Sequence, residues 1–254
     1  MTQKDRAQAL AALQFKGNPL VLYNIWDAGS ALAVQAAGAK ALATGSWSVA
    51  GAQGFDDGQA LPLDMLLSLV TQIIRVSEVP VTVDFEGAYA IDPQACAENV
   101  RKLIRTGAVG SNFEDQVGGG EGLHRVDDQV ARIVAIRQAA DDEGIPLVLN
   151  ARTDLFLKER DPVKHAGLIA DALVRASAYQ EAGASCFFAP GLTDDRLIAA
   201  LCEAVTLPVN VMKGPKTSDI ATLAGLGVSR VSYGPGPFRQ AMKTLEESAR
   251  AALS

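Results

Sequence analysis

Cysteine and histidine are scarce, with three of one and two of the other in 254 residues. Cys96, Cys186 and Cys202 are odd in number, far apart and set among apolar neighbours. That pattern excludes a disulfide framework and any zinc-ligand spacing, and it fits buried thiols in a reducing cytoplasm. His124 stands in a glycine-rich polar loop and His165 beside Pro162 and Lys164; both read as solvated loop histidines, not catalytic groups. Basic charge is short as well: 23 Lys and Arg face 29 Asp and Glu, for a net charge of −6. Without a run of Lys or Arg to neutralise phosphates, a nucleic-acid surface is excluded. No stretch approaches the ~18 apolar residues of a spanning helix. The charged start, Met1 to Arg6, has no apolar segment behind it, so neither a membrane partner nor an export signal is expected. A Gly-x-Ser-x-Gly elbow is missing too, which removes acyl-enzyme hydrolysis.

What the chain does have is apolar residues, 48% of the total, enough for one large core and a single domain over residues 1–254. Eight short β-rich runs follow one another: Leu20 to Ile25, Ala39 to Thr44, Val79 to Phe85, Val109 to Glu114, Leu147 to Ala151, Ser185 to Ala189, Val209 to Met212 and Val228 to Tyr233. Most are continuously apolar, as parallel strands covered on both faces require. Amphipathic stretches separate them. Leu63 to Val76 is one; Ala97, Val100 and Ile104 mark a second; Val130, Ile133, Val134 and Arg137 a third; Ile169, Leu173 and Ala176 a fourth. A glycine recurs at the helix-to-strand joints, at Gly38, Gly107, Gly144, Gly183 and Gly227. Eight such βα units in this length predict a single closed (β/α)8 barrel of the TIM type. A doubly wound open sheet is the alternative, but the turn after its first strand should read Gly-x-Gly-x-x-Gly, and here it reads Trp26-Asp27-Ala28-Gly29-Ser30.

In a parallel barrel, function collects at the C-terminal ends of the strands. Those ends carry Gly45-Ser46-Trp47-Ser48, Asp84-Phe85-Glu86-Gly87, Glu114-Asp115 and Arg152-Thr153-Asp154. Asp84 and Glu86 alternate along one run and should share a face, with Glu114 at the end of the next. Converging carboxylates need compensation. A hard divalent cation on oxygen ligands, magnesium or manganese, is one answer; salt bridges to Arg152 or Lys213 are the other. Trp47 suits a pocket wall and a core anchor equally.

Taken in order, Asn24 to Ala31, Thr44 to Val49, Gly54-Phe55-Asp56-Asp57-Gly58, Val83 to Gly87, Asn112 to Asp115 and Asn150 to Asp154 resemble the isocitrate lyase and phosphoenolpyruvate mutase superfamily. The resemblance implies a magnesium-dependent barrel that makes or breaks bonds next to a 2-oxo acid through an enolate. Carried over position by position, Asp84 would be the acid nearest the metal, with Glu86, where many members have an aspartate, and Glu114 holding its waters. Gly45, Ser46 and Trp47 would grip the substrate carboxylate. Asp57 would face the reacting group, and Arg152 would bind the oxo-acid end and hold charge as it develops. The superfamily's lyases carry Lys-x-Cys-Gly-His on the loop after the Glu-Asp pair; here that loop reads Gln116 to His124 without a cysteine, and without the asparagine and lysines of the phosphonomutases.

That difference turns the expectation toward chemistry that needs no loop acid, since carbon dioxide departs without one. The expected activity is carbon-carbon lysis of a small 2-oxo or 2-hydroxy dicarboxylic acid, oxaloacetate-like first. Carbon-phosphorus chemistry on a phosphonopyruvate-like compound and a non-catalytic 2-oxo-acid-binding barrel are the alternatives. The glycines of 116–123 suggest a loop that closes over substrate. The resemblance further implies a homo-oligomer, dimer or tetramer, with a C-terminal helix from Phe238 to Ala252 packed on a neighbour.

Overall fold

The eight expected runs are eight parallel strands, and they close on themselves. The computed structural model describes residues 1–118 and 122–254. In chain order the strands are β1 (Leu20–Leu22), β2 (Leu42–Ala43), β3 (Val81–Asp84), β4 (Gly110–Glu114), β5 (Val148–Arg152), β6 (Cys186–Phe188), β7 (Val209–Met212) and β8 (Arg230–Ser232). Each pairs with the next from β2 onward, and β8 returns to β1. An isolated parallel bridge between Ile25 and Thr44 joins the β1 and β2 ends, which makes a barrel and rules out the open sheet. The helices are α1 (Gln3–Ala12), α2 (Ala28–Ala36), α3 (Ser46–Ala52), α4 (Leu63–Val76), α5 (Pro93–Arg105), α6 (Val126–Asp142), α7 (Leu155–Lys158), α8 (Ile169–Glu181), α9 (Asp195–Ala204), α10 (Ile220–Gly225) and α11 (Gly236–Leu253). Among the described residues none is long and apolar enough to cross a membrane.

Local chemistry sets these boundaries. The recurring joint glycines all take positive φ, from 70° to 102°, the left-handed turn that ends a helix and that a β-carbon would resist. Asp27 caps α2, Asp92 caps α5 and Asp194 caps α9, each through its side chain. On α4 the spacing of Leu66, Val70 and Ile73 buries one face. The third expected apolar face needs correction: Val134 is exposed, and α6 instead buries Gln129, Arg132, Ile133, Ile136, Ala139 and Ala140. Arg132 sits inward there because it holds a loop of the site, as shown below, and Gln129 because it accepts from Arg132 and donates to the Glu114 carbonyl.

The barrel interior is layered. At the bottom, Ala7 and Leu10 of α1 plug the opening against Leu20, Leu22, Ala41, Ala43, Val109, Val148 and Cys186. The plug needs a glycine opposite it, since a β-carbon on Gly110 would come within 2.8 Å of Leu10 and 2.7 Å of the Thr82 hydroxyl. Above the plug the interior turns polar, with Asn112, Asn150, Asn210 and Arg230 hydrogen-bonded across four strands. The upper rim carries the candidate site.

Candidate active site

A cavity of about 180 Å³ opens at the C-terminal ends of the strands. Gly45, Ser46, Trp47, Asp57, Asp84 and Arg152 all line it, so six of the eight expected residues meet there. Glu86 and Glu114 lie behind this wall. Trp47 is therefore a pocket wall; its ring packs edge-on against Phe238 and carries the Arg239 guanidinium 4.4 Å from its centre. Leu157, Phe188, Pro190, Met212 and Pro235 form an apolar side of the same cavity.

Asp84, at the end of β3, is held at both oxygens. Oδ2 accepts from the Ser46 N–H at the start of α3, 3.0 Å away, and Oδ1 accepts from Asn112 Nδ2 at 3.3 Å. The Ser46 amide, expected to grip a substrate carboxylate, thus serves Asp84. Asp57 comes from the loop between α3 and α4. Burial raises its pKa, nearby Asp84 adds to the rise, and a hydrogen bond from Ser46 works the other way.

Glu86 sits just past β3 in a strained segment. Glu86, Ala88 and Tyr89 have φ of 50°, 60° and 56°, each costing about 1–3 kcal/mol for a residue with a β-carbon. Such a segment persists only where its surroundings over-determine it. Here Arg132 Nη2 donates to the carbonyls of Gly87 (2.7 Å) and Ala90 (2.9 Å), and Asn99 Nδ2 to that of Ala88 (3.0 Å). The Arg132 guanidinium also lies 4.7 Å from the centre of the Phe113 ring. The result aims Glu86 at the Gln59 N–H, which donates to its Oε2 at 2.7 Å.

Burial, then Asp84 and Asp57, push the Glu86 carboxyl up to about 8. In EDTA the folded chain should therefore hold a proton that the unfolded chain, with Glu86 near its ordinary 4.5, releases. Stability is expected to fall as pH rises from about 4.5 to about 8 through this group, and Glu86→Gln should flatten that part of the profile. Thermal denaturation at stepped pH checks it; equal slopes for the two proteins would refute it.

Arg152, at the end of β5, sits partly buried between two acids. Nη1 meets Glu114 Oε2 at 2.9 Å, while Nε and Nη2 meet the two oxygens of Asp154 at 2.6 and 3.0 Å. Burial works against its charge, but Glu114 and Asp154 outweigh it and hold the guanidinium protonated more firmly than usual. Two of its five N–H groups are hydrogen-bonded this way, both to Asp154, and the Glu114 contact is an ion pair at Nη1, so donors on Nη1 and Nη2 remain for a ligand. Glu114 thus makes the expected salt bridge to Arg152. Lys213 makes no such bridge: its Nζ donates to the carbonyls of Gly214 and Thr217.

Among the described residues no three acidic, histidine or cysteine side chains form a ready cage for an ion. The donor chemistry nonetheless fits a hard divalent cation. Asp84 raises the cost of ionising Asp57, and Asp84 and Asp57 together raise that of Glu86, while among the described residues the cationic side chain lining the cavity, Arg152, is already matched by two acids.

Several participants lay outside the expected set. Asp154 orients Arg152, Asn112 orients Asp84, and Gln59 and Arg132 position Glu86. Asn112 and Asp154 belong to the quoted motifs, but nothing in their spacing shows what they touch. Asp115, next to Glu114, is fully buried and accepts from the Asp154 N–H, Arg175 and the Tyr179 hydroxyl, all near 3 Å; it braces the loop after β5. The two histidines are corrected from solvated to buried: His165 Nε2 sits 2.8 Å from the Glu159 carbonyl, and burial lowers the His124 pKa. Neither lines the cavity. Of the expected closing loop, residues 119–121 lie outside the described residues.

Residues 10–253 match the family model described as phosphoenolpyruvate phosphomutase. Over 215 residues the chain is 32% identical to a 2-methylisocitrate lyase of Escherichia coli, covering 82% of this chain and 70% of that protein. Over 238 residues it is 29% identical to an oxaloacetate decarboxylase of Paraburkholderia xenovorans, covering 90% and 76%. A Burkholderia cenocepacia structure provisionally described as a phosphonomutase superposes with a TM-score of 0.96 at 44% identity, covering 98% of this chain and 99% of that one.

Proposed function

The chain belongs to the phosphoenolpyruvate phosphomutase family, and on that premise we propose that it is a carbon-carbon lyase acting on a small 2-oxo or 2-hydroxy dicarboxylic acid, oxaloacetate-like first. The observation that carries this reading is one small cavity uniting Asp57 and Asp84 with Arg152 and an apolar side. The remaining N–H groups of Arg152 would take the carboxylate of the oxo-acid end and stabilise charge as it grows toward the enolate. Leu157, Phe188, Pro190 and Met212 would receive the other end. A carboxylate in that apolar place is poorly solvated, which favours its departure as carbon dioxide. Asp84, backed by Glu86 and Glu114, would hold magnesium or manganese, which when bound supplies Lewis-acid stabilisation of the enolate oxygen. The 29% identity to an oxaloacetate decarboxylase supports the same substrate class.

A second reading, carbon-phosphorus chemistry on a phosphonopyruvate-like compound, is favoured by Asp57 on the cavity wall and by the 44% identical structure. One experiment separates the two. A panel of 2-oxo, 2-hydroxy and phosphono acids is assayed with magnesium for pyruvate, glyoxylate, carbon dioxide or phosphate, using the wild type and Asp57→Ala. Decarboxylation should survive Asp57→Ala at roughly a tenth to a hundredth of the rate, the loss of one oriented contact. Phosphoryl transfer should vanish with it. No turnover of any compound would leave a binding barrel and end the enzymatic reading.

The three buried, unpaired thiols suit the cytoplasm. We also propose a homo-oligomer. Nearly all of α11 past Phe238 is exposed, Leu245 included, and a groove of about 690 Å³ between α2 and α11 is lined by Trp26, Val34, Ala241 and Leu245. A second copy would cover that apolar surface; a monomer by light scattering at micromolar concentration would sink the idea.

A further inference from the structure

Arg230 is the first residue of β8, with its side chain inside the barrel, 1% exposed. The other arginines that turn inward have clear employment: Arg152 and Arg175 pair with carboxylates, and Arg132 and Arg137 bind loop carbonyls. Arg230 has no ion pair among the described residues, and its Nε and Nη1 have no protein partner. Burying such a charge costs stability, and an apolar side chain of similar length would fill the space at less cost. What the arginine does touch is Asn112: its Nη2 donates to Asn112 Oδ1 at 3.2 Å.

That oxygen is doubly held, because Asn150 Nδ2 donates to it at 2.8 Å. Two donors on one amide oxygen settle which way the amide faces. The Asn112 nitrogen must then point up the barrel, where it meets Asp84 Oδ1 at 3.3 Å. With Ser46 N–H on the other oxygen, the Asp84 carboxylate is left one orientation at the cavity wall.

We infer that Arg230 is a positioning residue that acts through the Asn112 amide to present Asp84 to a divalent cation. The inference rests on the proposed role of Asp84 as the acid nearest that cation. Side chains that orient a metal-binding group from behind typically change metal affinity by about ten- to a hundredfold when removed. Through-space charge alone predicts the opposite sign, since losing a nearby cation would tighten the binding of another cation. The direction of the change therefore tells orientation from bulk electrostatics.

The test is Mn2+ binding to EDTA-stripped protein, read by the electron paramagnetic resonance signal of the free ion, with folding followed by circular dichroism. Arg230→Met should weaken Mn2+ binding about tenfold, and Arg230→Lys, which can still donate to Asn112, should restore most of it. Asn112→Leu should weaken binding to a similar degree, and adding Arg230→Met to it should change nothing more. If Arg230→Met does not fold, the Lys and Leu variants carry the test. Wild-type affinity in Asn112→Leu, or unchanged or tighter binding in a folded Arg230→Met, overturns the inference while leaving the metal site standing. Wild-type protein that binds no Mn2+, or Asp84→Asn that binds it as well as wild type, overturns the metal reading and the inference with it.

Discussion

Asp84→Asn is expected to lower turnover with magnesium by roughly a thousandfold or more, because Lewis-acid stabilisation is worth several kcal/mol and each 1.36 kcal/mol is tenfold in rate. The argument is local. Both oxygens of Asp84 accept hydrogen bonds, from the Ser46 N–H and from Asn112 Nδ2. An asparagine has one acceptor oxygen, so its NH2 must face one of those donors, and the side chain is misaligned as well as neutral. The lost bond costs about 1–3 kcal/mol of stability, which the large core should tolerate. Steady-state kinetics across a magnesium titration, with thermal denaturation as the folding control, checks it. Wild-type turnover at limiting magnesium in the variant would remove the enolate mechanism.

Arg152→Lys should lower kcat by about ten- to a hundredfold while changing KM less, because the planar fork is lost although the charge stays. The structure sharpens this expectation. Arg152 spans Glu114 on one nitrogen and both oxygens of Asp154 on two others, and a single ammonium cannot occupy all three positions. One buried acid is left poorly matched, so the substitution should also cost stability. Arg152→Met, which unpairs both acids, should cost more, about 3–5 kcal/mol. Parallel measurement of kcat, KM and denaturant midpoint separates the effects. A rise in KM with kcat unchanged would show that Arg152 binds ground state and transition state alike.

How much of this was legible beforehand follows from the range of each physical signal. Strand positions, the joint glycines and the Leu63–Val76 helix are local, written in hydrophobic period and turn chemistry, and β7 (Val209–Met212) and α4 appear with their expected ends. The strand-end acids were legible for a related reason, since parallel-barrel topology sends whatever follows a strand to one rim. Gly45, Ser46, Trp47, Asp84 and Arg152 could thus be gathered from the chain alone, whereas Asp57, on the loop between α3 and α4, came only from the family motifs.

Partnership was not legible, because it depends on which side chains meet across strands. Only the folded barrel shows that Glu114 neutralises Arg152 rather than facing the cavity, or that the Ser46 N–H is taken by Asp84. The buried face of α6 was misread because an amphipathic pattern counts Arg132 and Gln129 as solvent-facing, whereas the carbonyls of a strained loop 42 to 45 residues earlier draw the arginine inward. His165 and His124 were misplaced for the same reason, burial being a property of the packed whole. Arg230 is the clearest case. As a residue in the short β-rich run Val228 to Tyr233 it carries no signal of its role, and its meaning comes from Asn112, 118 positions earlier. The sequence by itself determined the barrel and most of the side chains that gather at its rim; the tertiary structure decided which charges are matched, which are left over, and what holds Asp84 in place, because those depend on distances that no local pattern encodes.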